Sequence, residues 1–424
     1  MNITEIKNSI LSGNLNNTFE KLYGDTEAAK KRYISAADSY VEIFGEPESD
    51  VRLFSAPGRT EIGGNHTDHQ HGSVLAGSVN LDVIAVVALN SDGKIRIKSE
   101  GYNMDTVDIS DLGKKSDEEG RASALIRGVC AKISEMGYSL NGFNAYTTSN
   151  VLKGSGLSSS AAFEVLIGNI VNSLFCGERL NEIEIAKIGQ FAEKEYFGKP
   201  CGLLDQMASS LGGFTFADFD DLSNPITERI NLDVHSFGYT LCVVDTGGNH
   251  ADLTQDYADI TVECKKISNA LGVDYLRYAD IDNFYNSIAS LRNSCGDRSI
   301  LRAFHFFNEQ DRVYKQKAAL KKGDFEEFLK LVNESGNSSY DYLQNLYSTS
   351  AVNEQGLSLA IALTKQFLGR KGACRVHGGG FAGTVQCYIP TELLTEYKKM
   401  IEKVFGEGSC QVLNIRPVGG CEIK

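Results

Sequence analysis

The sequence predicts a two-domain α+β protein, both from its length and from the order of its strand and helix patterns. Its 424 residues, 42% of them hydrophobic, can form a substantial core and are typical of two domains. Residues 50–245 mix apolar, β-branched segments with helical patterns, and residues 253–368 are mainly helical. The apolar pattern breaks near residues 221–225. We therefore place one domain at residues 46–222 and a second at residues 223–424.

Residues 1–45 form a separate helical extension that we expect to lie against the main body. Its first helix has one apolar face, formed by Ile3, Ile6, Ile10 and Leu11. The other helices are predicted at residues 26–44, 123–136, 158–175, 180–197, 204–211 and 391–405. The strands are predicted at residues 50–56, 73–90 (as a pair), 94–99, 142–148, 213–219, 227–232, 237–245, 372–376, 384–389 and 411–417.

The bulk composition excludes several classes of partner. A net charge of −13 with no basic run argues against a nucleic-acid partner. The ten cysteines form no CxxC pair and lie mostly among apolar neighbours, which favours buried thiols in a reducing, cytoplasmic compartment. The chain begins without a signal-peptide pattern, and no stretch approaches about 18 apolar residues, so no membrane contact is expected. We expect a monomer or a homodimer.

The most informative segment is VLKGSGLSSSAAFE, residues 151–164. It places Gly154 and Gly156 beside three serines and then turns at once into a helical pattern. Glycine lets backbone N–H groups approach an anion closely, and a helix N-terminus adds free N–H groups and a partial positive charge. The sequence therefore favours a phosphate-binding loop over a merely flexible Gly/Ser loop, although it is not the GxxxxGK[ST] type.

A second polar segment, APGRTEIGGNHTDHQHG, occupies residues 56–72. Arg59 follows a proline and a glycine, and a guanidinium fixed there suits an anion or a carboxylate. Asn65, His66 and Asp68 are polar groups that can form directional hydrogen bonds with sugar hydroxyls. The alternatives are a transition-metal site built on the imidazoles of this loop and a merely solvated loop.

Two further segments carry chemistry: residues 193–206, which contain Glu193 and Asp205, and a glycine cluster at residues 377–383. Glu193 lies late in an amphipathic helix, where it is either a surface acid or a hard oxygen ligand that meets the serines of the first loop. Asp205 begins a helix in an apolar setting, where it either caps the helix or acts as a base kept ionised by a cation such as Arg59. The glycine cluster HGGGFAG, residues 377–383, allows close backbone approach to a ligand or another loop.

Taken in order, these four segments resemble the motifs of the GHMP kinases, and among them those of the galactokinases. APGR followed by HTD and Gly72 is similar to the galactokinase signature, and KGSGLSSSAAFE is similar to the family's phosphate loop. AEKEYFGKPCGLLDQ resembles the stretch with the family's catalytic aspartate, and GGGFAG resembles the third motif. The resemblance covers residues 44–418. It implies an N-terminal domain like domain 2 of ribosomal protein S5, a ferredoxin-like C-terminal domain, and an active site in the cleft between them.

The resemblance also implies an activity, which is ATP- and Mg²⁺-dependent transfer of the γ-phosphoryl group to a sugar hydroxyl. Asp205 would then be the base and Arg59 would stabilise charge beside it, while Ser160 and Glu193 would hold Mg²⁺. The implied nucleotide-binding residues are Gly154, Ser155, Gly156, Leu157, Ser158, Ser159 and Ser160. The implied substrate-binding residues are Asn65, His66, Asp68, Gly202 and Tyr257.

Departures from the family pattern fall mainly on the substrate side. Asn65 stands where galactokinases usually carry a glutamate that binds the sugar's C6 hydroxyl, and an amide both donates and accepts hydrogen bonds. Glu61 lies within a Thr60–Gly63 stretch that departs from the common Val-Asn-Leu-Ile pattern. The segment around Tyr257 lacks the paired arginines that commonly follow it, and the chain has no Trp to line a base pocket.

These departures leave the acceptor open. A galactose-like sugar is the leading expectation. The alternatives are a cyclitol such as an inositol or inosose, a uronic acid, an arabinose or an amino sugar. A sensor that binds sugar without catalysis is disfavoured, because the run of serines and alanines at residues 158–162 is complete and both Arg59 and Asp205 are present.

Overall fold

A computed structural model describes residues 1–151, 156–199, 201–247 and 253–424 of the chain. The helices are α1 (Ile3–Leu11), α2 (Asn16–Tyr23), α3 (Thr26–Phe44), α4 (Ala122–Glu135), α5 (Ser159–Phe175), α6 (Glu182–Phe191), α7 (Leu204–Leu211), α8 (Thr254–Ala270), α9 (Ile281–Cys295), α10 (Asp297–Lys322), α11 (Phe325–Ser338), α12 (Gly356–Leu368) and α13 (Leu394–Phe405). The strands are β1 (Val51–Gly63), β2 (Ser73–Leu89), β3 (Lys94–Ser99), β4 (Met104–Asp108), β5 (Phe143–Ser149), β6 (Phe214–Asp218), β7 (Ile226–Ile230), β8 (Tyr239–Asp245), β9 (Ala373–His377), β10 (Thr384–Pro390), β11 (Cys410–Leu413) and β12 (Cys421–Ile423).

The strands form two sheets. The larger has the order β12-β1-β2-β5-β3-β4, with β6 joined to β2 and β7 joined to β6. Its described pairings are antiparallel except β3 with β5. The smaller sheet has the order β11-β8-β10-β9 and is antiparallel. The last strand, β12, pairs with β1, so a segment near residue 423 completes the sheet of the first half.

Both faces of β2 are buried over most of its length, which explains why its middle is apolar without interruption. Val83, Ala85 and Val87 face the core that contains α4, α5 and α6. Ile84 and Val86 face the opposite side, where the extension formed by α1, α2 and α3 covers the sheet. Side chains alternate between the two faces of a strand, so a strand covered on both sides carries apolar residues at every position.

The extension is packed as predicted, with one correction. Asn2 caps α1 through a reciprocal pair of hydrogen bonds with Glu5. Ile3, Ile6 and Ile10 are buried, whereas Leu11, expected on the same face, has 64% of its surface exposed. Leu11 lies one residue after Ile10, and the rotation of about 100° per residue carries it out of the buried stripe.

The polar segment at residues 56–72 also differs from the prediction, because β1 continues to Gly63 instead of ending at residue 56. Residues 57–63 pair with β2 through two register shifts, one between Pro57 and Arg59 and one between Glu61 and Gly63. Residues 73–89 form one long strand rather than a pair. These long-range backbone hydrogen bonds outweigh the loop-like local composition. The sequence analysis did not predict α2, β4 or β12.

A buried charge cluster fixes the extension to the sheet. Asp82 of β2 has no exposed surface. Its carboxylate accepts hydrogen bonds from Arg32 of α3, from Tyr23 of α2 at 2.6 Å, and from Arg416 at 3.1 Å. Arg416 also donates to the Ser55 hydroxyl at 2.6 Å. Two arginines thus compensate one carboxylate where water cannot reach.

Within the described ranges, no helix combines the length and the apolar character that crossing a membrane requires. The same ranges hold no group of three or more His, Cys, Asp and Glu side chains arranged to bind a metal ion. The transition-metal site considered for residues 56–72 therefore receives no support from the geometry of the described residues.

Asp82→Asn should lower the free energy of unfolding by about 3 kcal/mol, because it leaves the buried Arg416 and the partly buried Arg32 without their counter-charge. Urea denaturation monitored by circular dichroism measures the change. Glu27→Gln is the matched control, since Glu27 forms a salt bridge with Lys30 but has 75% of its side chain exposed, and it should change stability by less than about 0.5 kcal/mol. Equal effects of the two substitutions would contradict a central role for the Asp82 cluster.

Candidate active site

Three segments that are far apart in the sequence meet at Asp205, in the first turn of α7. Arg59 of β1 donates from Nε to Asp205 Oδ1 at 2.6 Å. The hydroxyl of Ser158, which directly precedes α5, donates to Asp205 Oδ2. Arg59 also donates through Nη1 to the carbonyl oxygen of Gly156. The serine-bearing loop and the predicted catalytic aspartate are therefore in direct contact, and Asp205 contributes no side-chain cap to its own helix.

The backbone permits this contact because Gly58 lies where β1 approaches the segment that precedes α5. A Cβ added to Gly58 would lie 2.8 Å from the carbonyl oxygen of Leu157. That same oxygen accepts the Arg59 N–H at 3.0 Å, which fixes the loop to β1. Ser158 has φ of +54°, in the left-handed region that a side chain rarely adopts. Such strain is typical of functional sites, and here it directs the Ser158 hydroxyl to Asp205.

The electrostatic environment keeps Asp205 ionised. Burial alone would raise the pKa of this carboxyl, but the charge of Arg59 and the hydrogen bonds from Arg59 and Ser158 hold it below its usual range. The same partnership raises the pKa of Arg59 against the effect of its burial. At neutral pH the pair is therefore a carboxylate next to a guanidinium.

A second group of oxygen atoms surrounds Glu193. The Ser160 hydroxyl donates to Glu193 Oε1 at 3.1 Å, and Lys199 Nζ lies 2.8 Å from the same oxygen. Gln206 Nε2 donates to Glu193 Oε2 at 2.8 Å and to Glu164 Oε2 at 2.9 Å. Glu193 is only 2% exposed, so it is not the surface acid that the sequence left open. Ser160 and Glu193 lie together, as the predicted metal site requires.

The turn that carries Glu193 is wider than an α-helix. The predicted helix at residues 180–197 ends its α-helical part at Phe191, and Ala192–Phe197 form a π-helical turn. Such a turn holds one extra residue and often marks a functional site. Here it directs the Glu193 carboxylate inward, towards α5 and α7.

Glu164, one turn of α5 beyond Ser160, is the other carboxyl of this cluster. Burial and then the charge of Glu193 raise the pKa of Glu164 well above its usual value. We therefore expect Glu164 to be protonated, with Gln206 donating to both carboxyl groups. Within the described part of the chain, Glu164 Oε1 and Gln206 Oε1 have no hydrogen-bond partner.

Helix α10, in the second half of the chain, binds the backbone of the predicted sugar-binding segment at residues 56–72. Glu309 of α10 accepts the Gly64 N–H at 3.0 Å, and His305 of the same helix donates through Nε2 to the Asn65 carbonyl oxygen at 2.9 Å. The charge of Arg312, acting against burial, lowers the pKa of Glu309 to about 2, so this acceptor is ionised.

Asn65 faces the protein interior. Its Nδ2 donates to Glu61 Oε1 at 2.9 Å and to the Gly378 carbonyl oxygen at 2.7 Å, and its Oδ1 accepts from Asn345 Nδ2 at 2.9 Å. It has no exposed surface. Glu61 in turn pairs with Arg375 of β9 at 2.6 Å. The predicted sugar contact of Asn65 stays a prediction, and this placement does not favour it.

The other predicted substrate residues lie against the glycine cluster or against the segment that precedes Asp205. Burial lowers the pKa of His66 to about 3, so its ring is neutral and donates through Nε2 to the Gly379 carbonyl oxygen at 2.9 Å. Asp68 is half-buried, and a Cβ added to Gly202 would lie 1.9 Å from its Oδ2. This close approach brings the loop of Asp68 against the segment that leads to Asp205.

Tyr257 borders the same glycine cluster. Its hydroxyl donates to the Gly380 carbonyl oxygen at 2.8 Å, and its ring packs edge-on against Phe381. Burial raises the pKa of Tyr257 to about 12, so it remains a hydrogen-bond donor. Among the predicted nucleotide-binding residues, Leu157 is buried and Ser159 opens α5, whereas Gly154 and Ser155 lie outside the described residues.

Sequence reasoning missed several residues that support this site. Gln206 directly follows Asp205, and this place beside the predicted catalytic carboxylate is the sequence signal that could have identified it. Lys199 and the Glu61–Arg375 pair gave no periodic or spacing signal. His377 was grouped with the glycine cluster but is buried, with Nε2 accepting the Glu61 N–H at 3.2 Å.

Two family models match the segments that form the site. The model of the GHMP kinases N terminal domain matches residues 124–213, and the galactokinase galactose-binding signature matches residues 38–89. Galactokinase of Streptomyces coelicolor is 32% identical over 381 residues, covering 88% of this chain and 92% of that protein. Galactokinase of Limosilactobacillus reuteri is 29% identical over 378 residues, covering 86% and 92%.

Solved structures show the same fold. Lactococcus lactis galactokinase complexed with galactose superimposes with a TM-score of 0.76 at 23% identity, over 90% of this chain and 97% of that chain. Mevalonate kinase of Methanococcus jannaschii gives a TM-score of 0.61 at 16% identity, over 87% and 99%. The two-domain GHMP kinase fold predicted from the sequence is thereby confirmed, while the predicted boundaries of the extension and the two domains stay predictions.

The fold and the matched segments define a small-molecule kinase of the GHMP type. With relatives up to 32% identical over most of their length among those compared, the chain belongs to the galactokinase family. It is therefore an enzyme, a sugar kinase for which the family implies ATP as co-substrate.

Asp205→Asn should lower the free energy of unfolding at pH 7 by about 2 kcal/mol, because buried Arg59 loses its counter-charge while a third of the Asp205 side chain is solvated. The pKa of Asp205 is lowered by folding, so its stabilising effect is present above its unfolded pKa, near 4, and is lost as the pH falls further. The deficit of the variant should therefore shrink below about pH 4. Denaturation curves at pH 7 and pH 3 measure it, and a deficit that grows on acidification would contradict the assigned ion pair.

Proposed function

We propose that this enzyme transfers the γ-phosphoryl group of ATP to a hydroxyl of a galactose-like sugar, with Asp205 as the base. The observation that supports this most directly is the contact between the serine-bearing loop and an ionised Asp205 through Ser158. Phosphoryl transfer needs a positioned hydroxyl and fixed charges more than it needs covalent work by the protein.

In this proposal Asp205 accepts a hydrogen bond from the acceptor hydroxyl and directs its lone pair to the γ-phosphorus. The new P–O bond forms as the bond from the γ-phosphorus to the β–γ bridging oxygen breaks, so ADP leaves, and Asp205 takes up the hydroxyl proton. Arg59 keeps the carboxylate ionised before the transfer and in place during it. Gly156, Leu157 and the N-terminus of α5 would present N–H groups and hydroxyls to the phosphates. Within the site, the half-buried setting of Asp205 limits access of water to the carboxylate.

The oxygen donors of Ser160 and Glu193 fit Mg²⁺, which prefers hard oxygen ligands and usually keeps several waters. The π-helical turn buries the Glu193 carboxylate beside the serine. We therefore assign Ser160 and Glu193 as the residues that would hold the ion. When bound, Mg²⁺ would neutralise charge on the nucleotide phosphates.

The identity of the acceptor depends on the loop that contains His66 and Asp68. Asp68 lies against Gly202, and His66 and Tyr257 both bind carbonyl oxygens of the glycine cluster. We propose that they form the sugar-binding surface. Asn65, whose amide is saturated by protein partners, is better assigned as the residue that supports this loop.

A second candidate acceptor follows from Asn65. Since no carboxylate stands at this position and the amide faces inward, the enzyme has no evident group there to require a C6 hydroxyl. A ring without that hydroxyl, such as an arabinose, or one with a carboxyl group at C6, or a cyclitol, would then also be accepted.

Asp205→Ala should lower the turnover number by about 10³-fold, because the acceptor hydroxyl loses its base, while sugar binding largely survives. Release of ADP in the presence of galactose and MgATP measures turnover, and calorimetry measures sugar binding. Asp274→Ala is the matched control, since 89% of the Asp274 side chain is exposed, and it should leave both quantities unchanged. Turnover within twofold of the wild type in Asp205→Ala would remove Asp205 from the mechanism.

A panel of acceptors should separate the candidate substrates. We expect galactose to be turned over best, and L-arabinose, which lacks the C6 group, to lose no more than about tenfold in kcat/KM. A site that hydrogen-bonds a hydroxyl rejects the analogue without it by roughly 10⁴-fold, so a loss of that size would contradict the role given to Asn65. Faster turnover of a cyclitol than of galactose would replace the leading substrate with the alternative.

A further inference from the structure

Lys199 and Glu193 form an ion pair with one buried and one exposed partner. Lys199 Nζ lies 2.8 Å from Glu193 Oε1, yet 56% of the lysine side chain is exposed against 3% of the glutamate. The lysine follows the π-helical turn Ala192–Phe197, at the edge of the cluster rather than inside it. Its ammonium group is therefore held by the buried Glu193 carboxylate, and more than half of the side chain is exposed to solvent.

The oxygen that binds Lys199 also accepts the Ser160 hydroxyl at 3.1 Å. Glu193 Oε1 is thus the atom at which the two residues assigned to the metal ion, Ser160 and Glu193, meet. An ammonium group and a divalent cation on one carboxylate oxygen repel each other, so the two cannot share it at full strength. Occupation of Glu193 by a cation releases the lysine head group to another partner.

The charges of the surrounding residues indicate what that partner is. Arg59, a second cation among the described residues of this site, is buried and directs its donors to Asp205 and to the Gly156 carbonyl oxygen. A nucleotide triphosphate brings several negative charges next to Asp205 and Glu193. Lys199 adds an accessible cation at that edge, and lysine on its flexible stem is a common phosphate ligand.

Building on the function proposed above, we propose that Lys199 binds the phosphate chain of the nucleotide and rests on Glu193 only when no metal ion occupies that carboxylate. Lys199 is then a nucleotide-binding residue outside the glycine- and serine-rich loop. It couples the two sites, because the carboxylate that receives the ion is the one that gives up the lysine.

Lys199→Met tests this proposal, with Lys199→Arg as the conservative variant and Lys194→Met as the matched control. Lys194 is an exposed lysine within the same turn. Calorimetry in the presence of Mg²⁺ would measure the binding of two probes, a non-hydrolysable ATP analogue and inorganic triphosphate. We expect Lys199→Met to bind both probes about tenfold more weakly, and the other two variants to stay within about threefold of the wild type.

The two probes and the sugar make the outcomes distinct. Galactose affinity should be unchanged in Lys199→Met, which separates a phosphate contact from a general structural defect. An equal effect of Lys199→Met and Lys194→Met would overturn the assignment, as would a loss seen with the ATP analogue but not with triphosphate. If the wild-type enzyme itself fails to bind the ATP analogue, the proposed function fails, whereas normal binding with an inert Lys199→Met overturns only the role of the lysine.

Discussion

The hydrogen-bonded ion pair between Arg59 and Asp205 is the constraint on which the rest of the site depends. It joins β1 to α7 across 146 residues of sequence, and the Ser158 hydroxyl adds the N-terminus of α5 to the same carboxylate. A buried carboxyl without such partners would take up a proton and lose its use as a base. β1, the residues that precede α5, and α7 therefore meet at the contacts that keep Asp205 ionised.

A second, parallel arrangement supports the loop that carries His66. Glu61 and Asn65 face inward and bind Arg375, Asn345 and the glycine cluster, while helix α10 holds the loop backbone from the other side. The glycines at residues 378–380 provide carbonyl oxygens to Asn65, His66 and Tyr257. The third motif thus acts as a backbone scaffold for the substrate side, and its lack of side chains is what permits three residues to reach it.

Periodicity predicted the local elements of this chain well. The bounds of α3, β3 and α7 follow from apolar spacing alone, and the four motifs located the residues that meet at Asp205. Long-range pairing could not be predicted in the same way. β1 continues through a loop-like stretch because β2 supplies backbone partners, and the direction of the Asn65 side chain is decided by Asn345, 280 residues later. Lys199 and Gln206 bind Glu193, which the π-helical turn directs inward. The hydrophobic pattern of the sequence does not reveal the extra residue of that turn.

The charge cluster around Asp82 has a consequence for any attempt to divide this protein. Arg416 belongs to the second predicted domain, yet its guanidinium lies without exposed surface beside a carboxylate 334 residues earlier. The strand near residue 423 likewise hydrogen-bonds to β1. Either half produced alone would bury a charge without its partner or leave an open sheet edge. Chimeras that exchange halves between relatives would have to carry the segment after residue 413 along with the first half.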